Sequence, residues 1–217
     1  MIDFTSARTA MVDCQVRPSD VTRYPIIAAM LDVPRERFVP RELAEVAYAE
    51  THIALDTGRV VLDPRTFSKM LETVNITPAD LVLDIGAGLG YSTAVMSRLG
   101  EAVVGVEDDK DRARDAESAL RDFAADNAIV TTAPLNVGDP ANGPFDVIMV
   151  EGGVEQIPEA LANQLKDRGR IAAIFMTGSF GHVRFGQKTR DRIVWRRAFD
   201  AAAPILPGFA APAAFQL

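Results

Sequence analysis

Leu81-Val82-Leu83-Asp84-Ile85-Gly86-Ala87-Gly88-Leu89-Gly90-Tyr91 is the stretch whose pattern decides the fold. Leu81–Ile85 is a short, mostly apolar run that ends in glycines at every second position, and helix-forming residues follow from Ser92. That order predicts a buried strand, a tight turn and a helix. Glycine puts no Cβ between the backbone and a ligand. The turn falls at the carboxyl end of a strand, where parallel sheets bind ligands, and the helix beyond it offers unpaired N–H groups.

The same alternation continues outward. Leu81–Ile85, Ala102–Val106, Ala128–Thr132, Val147–Val150 and Ile171–Met176 predict strands, separated by helical segments at Ser92–Leu99, Lys110–Ala125 and Ile157–Leu165. This predicts an α/β fold: a doubly wound parallel sheet with helices on both faces. Residues 182–188 and 192–199 predict two further strands, an antiparallel hairpin at one edge. Residues 1–77 read as helices and turns, with helices expected over 19–31, after Pro40 within 34–47, and over 65–74, where Phe67, Met70, Leu71 and Val74 share a face. Two parts are therefore expected, an N-terminal helical extension facing the substrate (1–77) and an α/β core (78–217). The last stretch, 201–215, mixes alanine and proline with bulky apolar residues and reads as a strand or loop packed on the body.

The glycine spacing separates two ligand classes. A dinucleotide fingerprint, G-x-G-x-x-G, needs glycine at position 91, where Tyr91 stands. The pattern is instead D-x-G-x-G-x-G, Asp84 to Gly90, which resembles the turn of class I, Rossmann-like, S-adenosylmethionine-dependent methyltransferases. That likeness implies a loop wrapping an amino acid and a ribose, with Gly86, Ala87, Gly88, Gly90 and Tyr91 around the ligand and Asp84 orienting its ammonium. Glu107 ends the next strand, 21 positions after Gly86, and an acid there can accept both ribose hydroxyls. Asp108 and Asp109 either share that task or cap the helix near Lys110. Glu151 follows the run Phe145–Val150, at the strand end that faces the transferred methyl group in this fold, and is a candidate active-site residue or a solvated loop acid.

Further residues narrow the likeness. Met11-Val12 with Gln15 and Arg17, Ala28-Ala29-Met30, Val33-Pro34-Arg35-Glu36-Arg37-Phe38-Val39-Pro40, Ala47-Tyr48, Phe145-Asp146, Ile157-Pro158 and Gln164-Leu165-Lys166 stand in the order and spacing of one family. Over roughly residues 10–178 the chain resembles the protein-L-isoaspartate O-methyltransferases. The resemblance implies methylation of the free carboxylate of isoaspartyl residues in damaged proteins or peptides, with S-adenosyl-L-methionine as cofactor, in protein repair. Two positions depart from it. The family's Gly-Gln-Thr-Ile-Ser-Gln-Pro-like segment falls on Gly58-Arg59-Val60-Val61-Leu62-Asp63-Pro64, so Leu62 occupies the position of its essential serine and Asp63 that of a glutamine. The acid that reaches the adenine falls within Ala133-Pro134-Leu135. Asp63 and Glu151 are the remaining candidates for a catalytic group. Arg59 or Arg65 is a candidate carboxylate binder in place of the serine. A different acceptor, with Asp63 as general base, and a non-catalytic cofactor-binding homologue are the alternatives.

Composition limits the other classes. The 217 residues carry a net charge of −7, which argues against nucleic acid as a partner. Charge is uneven, with 5 basic and 14 acidic side chains over 78–153 against 9 and 5 over 154–217. No apolar run reaches the roughly 18 residues of a membrane span. The N-terminus has no secretory pattern, and a single Cys14 predicts no internal disulfide, so the expected location is the cytoplasm. No His/Cys/Asp spacing suits a metal. His52, in the loop before Gly58, reads as a surface or packing residue, with lining of the pocket as the alternative; His182 reads as structural, and Trp195-Arg196-Arg197 as an exposed edge strand.

Overall fold

The computed structural model describes residues 2–212. Helix α1 (Phe4–Met11), capped by the Asp3 carboxylate, runs on through a π-helical turn (Val12–Val16) into a 3₁₀ turn (Arg17–Ser19). Helix α2 spans Tyr24–Asp32, with Pro25 in its first turn, where its missing N–H costs nothing. The helix expected from residue 19 thus begins five residues later. Asp20 takes a left-handed conformation (φ 64°), and the Ser19 hydroxyl donates to the Gln15 carbonyl rather than capping α2. The helical stretch after Pro40 is a 3₁₀ turn, Arg41–Val46.

Residues 1–77 are not only helices and turns. Strands β1 (Ile53–Asp56) and β2 (Arg59–Val61) form an antiparallel hairpin whose turn passes through Gly58 at φ +81°. Helix α3 (Pro64–Val74) follows, capped by Asp63 and ended by Asn75 in a left-handed conformation. Its buried side includes Phe67, Met70, Leu71 and Val74, the face its periodicity predicts.

The α/β alternation then runs β3 (Leu81–Ile85), α4 (Tyr91–Ser97), β4 (Ala102–Glu107), α5 (Lys110–Asp122), β5 (Ala128–Thr132), β6 (Phe145–Val154), α6 (Glu159–Asn163), β7 (Leu165–Thr177), β8 (Phe180–Thr189) and β9 (Arg192–Asp200). The seven strands of the main sheet are ordered β5-β4-β3-β6-β7-β8-β9. Neighbours from β5 to β7 are parallel, and β8 and β9 add the expected antiparallel hairpin at the edge. The chain moves from β3 out to β4 and β5, then returns to the far side of β3 as β6. The gap between the carboxyl ends of β3 and β6 is therefore the switch point at which such sheets hold ligands.

The two faces of the sheet are covered differently. Val82, Val103, Val147 and Ala172 pack with α2 to α5 in one core, and their neighbours Leu83, Val104, Ile148 and Ile171 face a second core. That alternation is the period of two of a pleated strand. Helices were expected on both faces; among the described residues the second face carries the five-residue α6 alone, with loop and tail residues such as Leu135, Leu206 and Phe209 completing it. The helix expected over 157–165 is shortened because Pro158 supplies its N-cap and β7 already begins at Leu165. Within 201–215, residues 201–212 pack against the body as a loop, with the Gly153 N–H donating to the Pro204 carbonyl and the Leu206 N–H to the Gly153 carbonyl. Residues 213–215 lie outside the described residues. Among the described residues no helix is long and apolar enough to cross a membrane.

Candidate active site

The glycine turn has the geometry its sequence asks for. Gly86, Gly88 and Gly90 all take positive φ (86°, 59° and 93°), where a side chain would be strained. The Gly86 and Ala87 N–H groups both donate to the Val106 carbonyl, which ties the turn to the end of β4. Gly90 serves packing: a Cβ there would lie 3.3 Å from the Ala116 Cβ, so the missing side chain lets α4 approach α5.

Asp84, at the end of β3, is fully buried. Its Oδ2 accepts the hydroxyls of Ser92 (2.7 Å) and Thr93 (2.6 Å) from the first turn of α4, and its Oδ1 has no partner. Burial outweighs the two hydroxyls and pushes its pKa up to about 6. Glu151, in β6, is 5% exposed, and its Oε1 also has no partner. Burial, helped by the Asp84 charge, raises Glu151 well above the usual carboxylate range, toward the protonated form. Both lie at the switch point, and both present an unsatisfied oxygen.

Glu107 is fully buried at the end of β4, and its environment is the opposite. Its Oε2 accepts the Gly88 N–H (2.9 Å) and the Arg59 Nη2 (2.7 Å). Its Oε1 accepts Arg59 Nη1, the Asp108 and Asp109 N–H groups, and Arg112 Nε and Nη2, all at 2.9–3.2 Å. Burial alone would raise its pKa, but the Arg59 guanidinium, the Asp108 side chain and the Asp109 N–H hold it down at about 2. Arg59 is itself only 3% exposed and also pairs with Asp108 at 2.6 Å. Arg112 in turn ion-pairs with Asp56 in the hairpin.

The other residues singled out in the sequence divide between ligand face and scaffold. Asp109 caps α5, accepting the Arg112 N–H at 2.8 Å. Asp63 caps α3, accepting the Thr66 N–H at 2.8 Å, and its own N–H donates to His52 Nδ1 at 2.9 Å. The other His52 nitrogen, Nε2, meets the Ala202 carbonyl at 2.8 Å, so this side chain ties the N-terminal part to the tail. Tyr91 is buried beneath the turn, in tilted contact with Phe67 (5.7 Å between ring centres) and under the Arg35 guanidinium (4.6 Å). Leu62 is 1% exposed and faces the same space as Glu151, while its carbonyl accepts Arg35 Nη2 at 2.8 Å. The space left among Val60, Leu62, Phe67, Gly86, Gly88 and Glu151 has a volume of about 10 Å³, room for about one water.

Sequence reasoning weighed Arg59 only as a carboxylate binder. It missed its pairing with Glu107, the second arginine Arg112, and the two leucines that cover the glycines. A Cβ on Gly88 would lie 2.8 Å from Leu55 Cδ1, and one on Gly152 2.6 Å from the Leu206 side chain. The available signal was the turn Asp56-Thr57-Gly58 between two apolar triplets, which marks a hairpin.

The parallel sheet, the turn Asp84–Gly90 at its switch point and the acid ending the neighbouring strand define the class I methyltransferase fold. Solved structures agree. One named protein-L-isoaspartate O-methyltransferase superposes with a TM-score of 0.80 at 25% identity, covering 93% of this chain and 66% of its own length. A Plasmodium falciparum PCMT, in complex with S-adenosyl-L-homocysteine, superposes at 0.78 and 20% identity over 95% and 99% of the two chains, a likeness of fold. The family model described as protein-L-isoaspartate(D-aspartate) O-methyltransferase (PCMT) matches residues 7–195. A protein-L-isoaspartate O-methyltransferase of Pelotomaculum thermopropionicum is 37% identical over 193 residues, covering 89% of this chain and 80% of the relative. One of Methylorubrum extorquens is 36% identical over 196 residues, covering 88% and 83%. The chain belongs to the protein-L-isoaspartate O-methyltransferase family.

Proposed function

We propose that this protein is an S-adenosyl-L-methionine-dependent methyltransferase that esterifies the carboxylate of isoaspartyl residues in proteins. The observation that carries this is the pairing of the Asp84–Gly90 turn with Glu107 on the adjacent strand, within a chain of this family. The donor set fits the cofactor: the unpartnered Asp84 Oδ1 suits an ammonium, and Glu107 suits a pair of ribose hydroxyls. When bound, the cofactor supplies an electrophilic methyl group.

A carboxylate acceptor is already ionised at neutral pH, so the chain's residues need to align it and exclude water rather than remove a proton. Leu62, Phe67 and Tyr91 make most of the wall apolar, around a space with room for about one water. Leu62 brings no hydrogen-bond donor where the family has serine. Glu151 lines the same space with an unpartnered oxygen and is shifted toward its protonated form, so it is the donor to an acceptor oxygen in this reading. In this structure Arg59 is tied to Glu107 and Asp108, at the ribose end of the site rather than beside Leu62 and Glu151. The single Cys14, exposed, accords with a reducing cytoplasm.

The test is methyl transfer to an isoaspartyl peptide beside its aspartyl twin. The expected result is transfer to the isoaspartyl form alone, with kcat/KM lowered on the order of 10²-fold in Glu151→Ala and mostly retained in Glu151→Gln, which keeps a donor. Cofactor binding without transfer to either peptide would replace this by the second reading, a different acceptor or a non-catalytic homologue. The buried apolar Leu62 at the serine position favours that reading.

A further inference from the structure

We propose that Arg59 is an internal competitor for the cofactor's ribose and that the β1–β2 hairpin is the latch that carries it. The inference rests on the cofactor reading above. An ionised carboxylate offers about four lone-pair positions. On Glu107 they are all committed: Arg59 grips both oxygens in a bidentate fork, Gly88 N–H takes Oε2, and Arg112 with the Asp108 and Asp109 N–H groups crowds Oε1. The Arg59 fork presents two parallel N–H donors to one carboxylate, the geometry in which two vicinal hydroxyls would meet it.

The rest of the hairpin closes the same opening. Leu55 lies against the bare Cα of Gly88, so the approach that the glycine keeps clear is filled by a side chain of this chain. Arg112, reaching from α5, holds Asp56 at the hairpin turn and Glu107 at once, pinning the hairpin from outside. The buried guanidinium is charge-compensated by Glu107 and Asp108, so the closed form leaves neither charge unpaired. A ribose reaches Glu107 only after Arg59 lets go. The hairpin is short, three and four residues a side, and its turn is open around Gly58, so it can lift without unravelling the main sheet. A closed majority lowers apparent affinity by the fraction of molecules that are open.

Calorimetric titration with S-adenosylhomocysteine, on the wild-type protein and Arg59→Gln, tests this together with hydrogen–deuterium exchange over residues 53–61. The expected result is a Kd at least about tenfold lower in Arg59→Gln, with faster exchange over 53–61 when ligand is added to wild type. A merely structural ion pair would lower the melting temperature of the variant and leave Kd where it was, and that result overturns the latch. Wild-type binding as tight as the variant's also overturns it while the cofactor reading stands, and binding by neither removes both. Should Arg59→Gln not fold, Arg59→Lys keeps the charge but loses the fork; a severalfold gain in affinity is then expected, and no gain sinks the proposal.

Discussion

Asp84 and Glu107 close neighbouring parallel strands, both are fully buried, and their proton affinities move in opposite directions. Asp84 receives two neutral hydroxyls, too little to offset burial, and rises to about 6. Glu107 receives the Arg59 guanidinium in a bidentate pair, with the Asp108 side chain and the Asp109 N–H beside it, and falls to about 2. The linkage signs differ accordingly. Asp84 binds its proton more tightly folded than unfolded, so its contribution is greatest below its ordinary value of 3.8 and is lost as pH rises toward 6. The Glu107 contribution is present above 4.5 and is lost as pH falls toward 2. In Asp84→Asn, urea unfolding should lose up to about 2 kcal/mol of the stability difference between pH 4 and pH 6.5. A variant with an unchanged slope across that window would remove Asp84 as its source. Nothing around Asp84 in the sequence announces either shift. Ser92 and Thr93 are local enough to be suspected, but Arg59 stands 48 positions before Glu107 with no spacing rule to connect them.

At the scale of elements, α3 and the β1–β2 hairpin stand side by side in the chain and differed in legibility. The 11 residues of α3 give three turns, enough for Phe67, Met70, Leu71 and Val74 to mark one face. The hairpin strands have four and three residues, too few for a period of two to stand out from chance. The shared core makes α3 more than local structure, because Phe67 packs on Tyr91 at the start of α4. Phe67→Ala should therefore cost about 3–5 kcal/mol, read as a shift in urea midpoint with unchanged slope. It should also loosen the wall of the site. A loss below about 1 kcal/mol would mean that the aromatic contact between α3 and α4 contributes little.

Across the whole molecule the site is closed from two sides, by the hairpin and by the tail. The tail crosses β6 where Gly152 and Gly153 leave room, and a Cβ on Gly153 would lie 2.4 Å from the Ala203 carbonyl oxygen, a backbone atom that cannot rotate away. Gly153→Ala should detach residues 203–211 from the sheet at a cost of about 2 kcal/mol. Limited proteolysis would show it as faster cleavage near Pro207-Gly208 with the α/β core intact. Unchanged cleavage would mean that the tail accommodates a methyl group and is not anchored at that point.

What the sequence by itself determined is the part governed by local chemistry: glycines that must turn, apolar runs that must be covered, a period of 3.6 in α3, and the order of motifs that marks the family. From these follow the parallel sheet, its edge hairpin, and the placement of Asp84 and Glu107 at strand ends; Glu151, expected just past a strand ending at Val150, lies inside β6, which runs on to Val154. Only the tertiary structure decided who meets whom across the switch point. Arg59 on Glu107, Leu55 on Gly88 and Leu206 on Gly152 are contacts between segments far apart in the chain. Such pairings depend on how the layers stack and where a hairpin falls, and a side chain carries no local record of the distant partner whose charge or bare backbone it will cover.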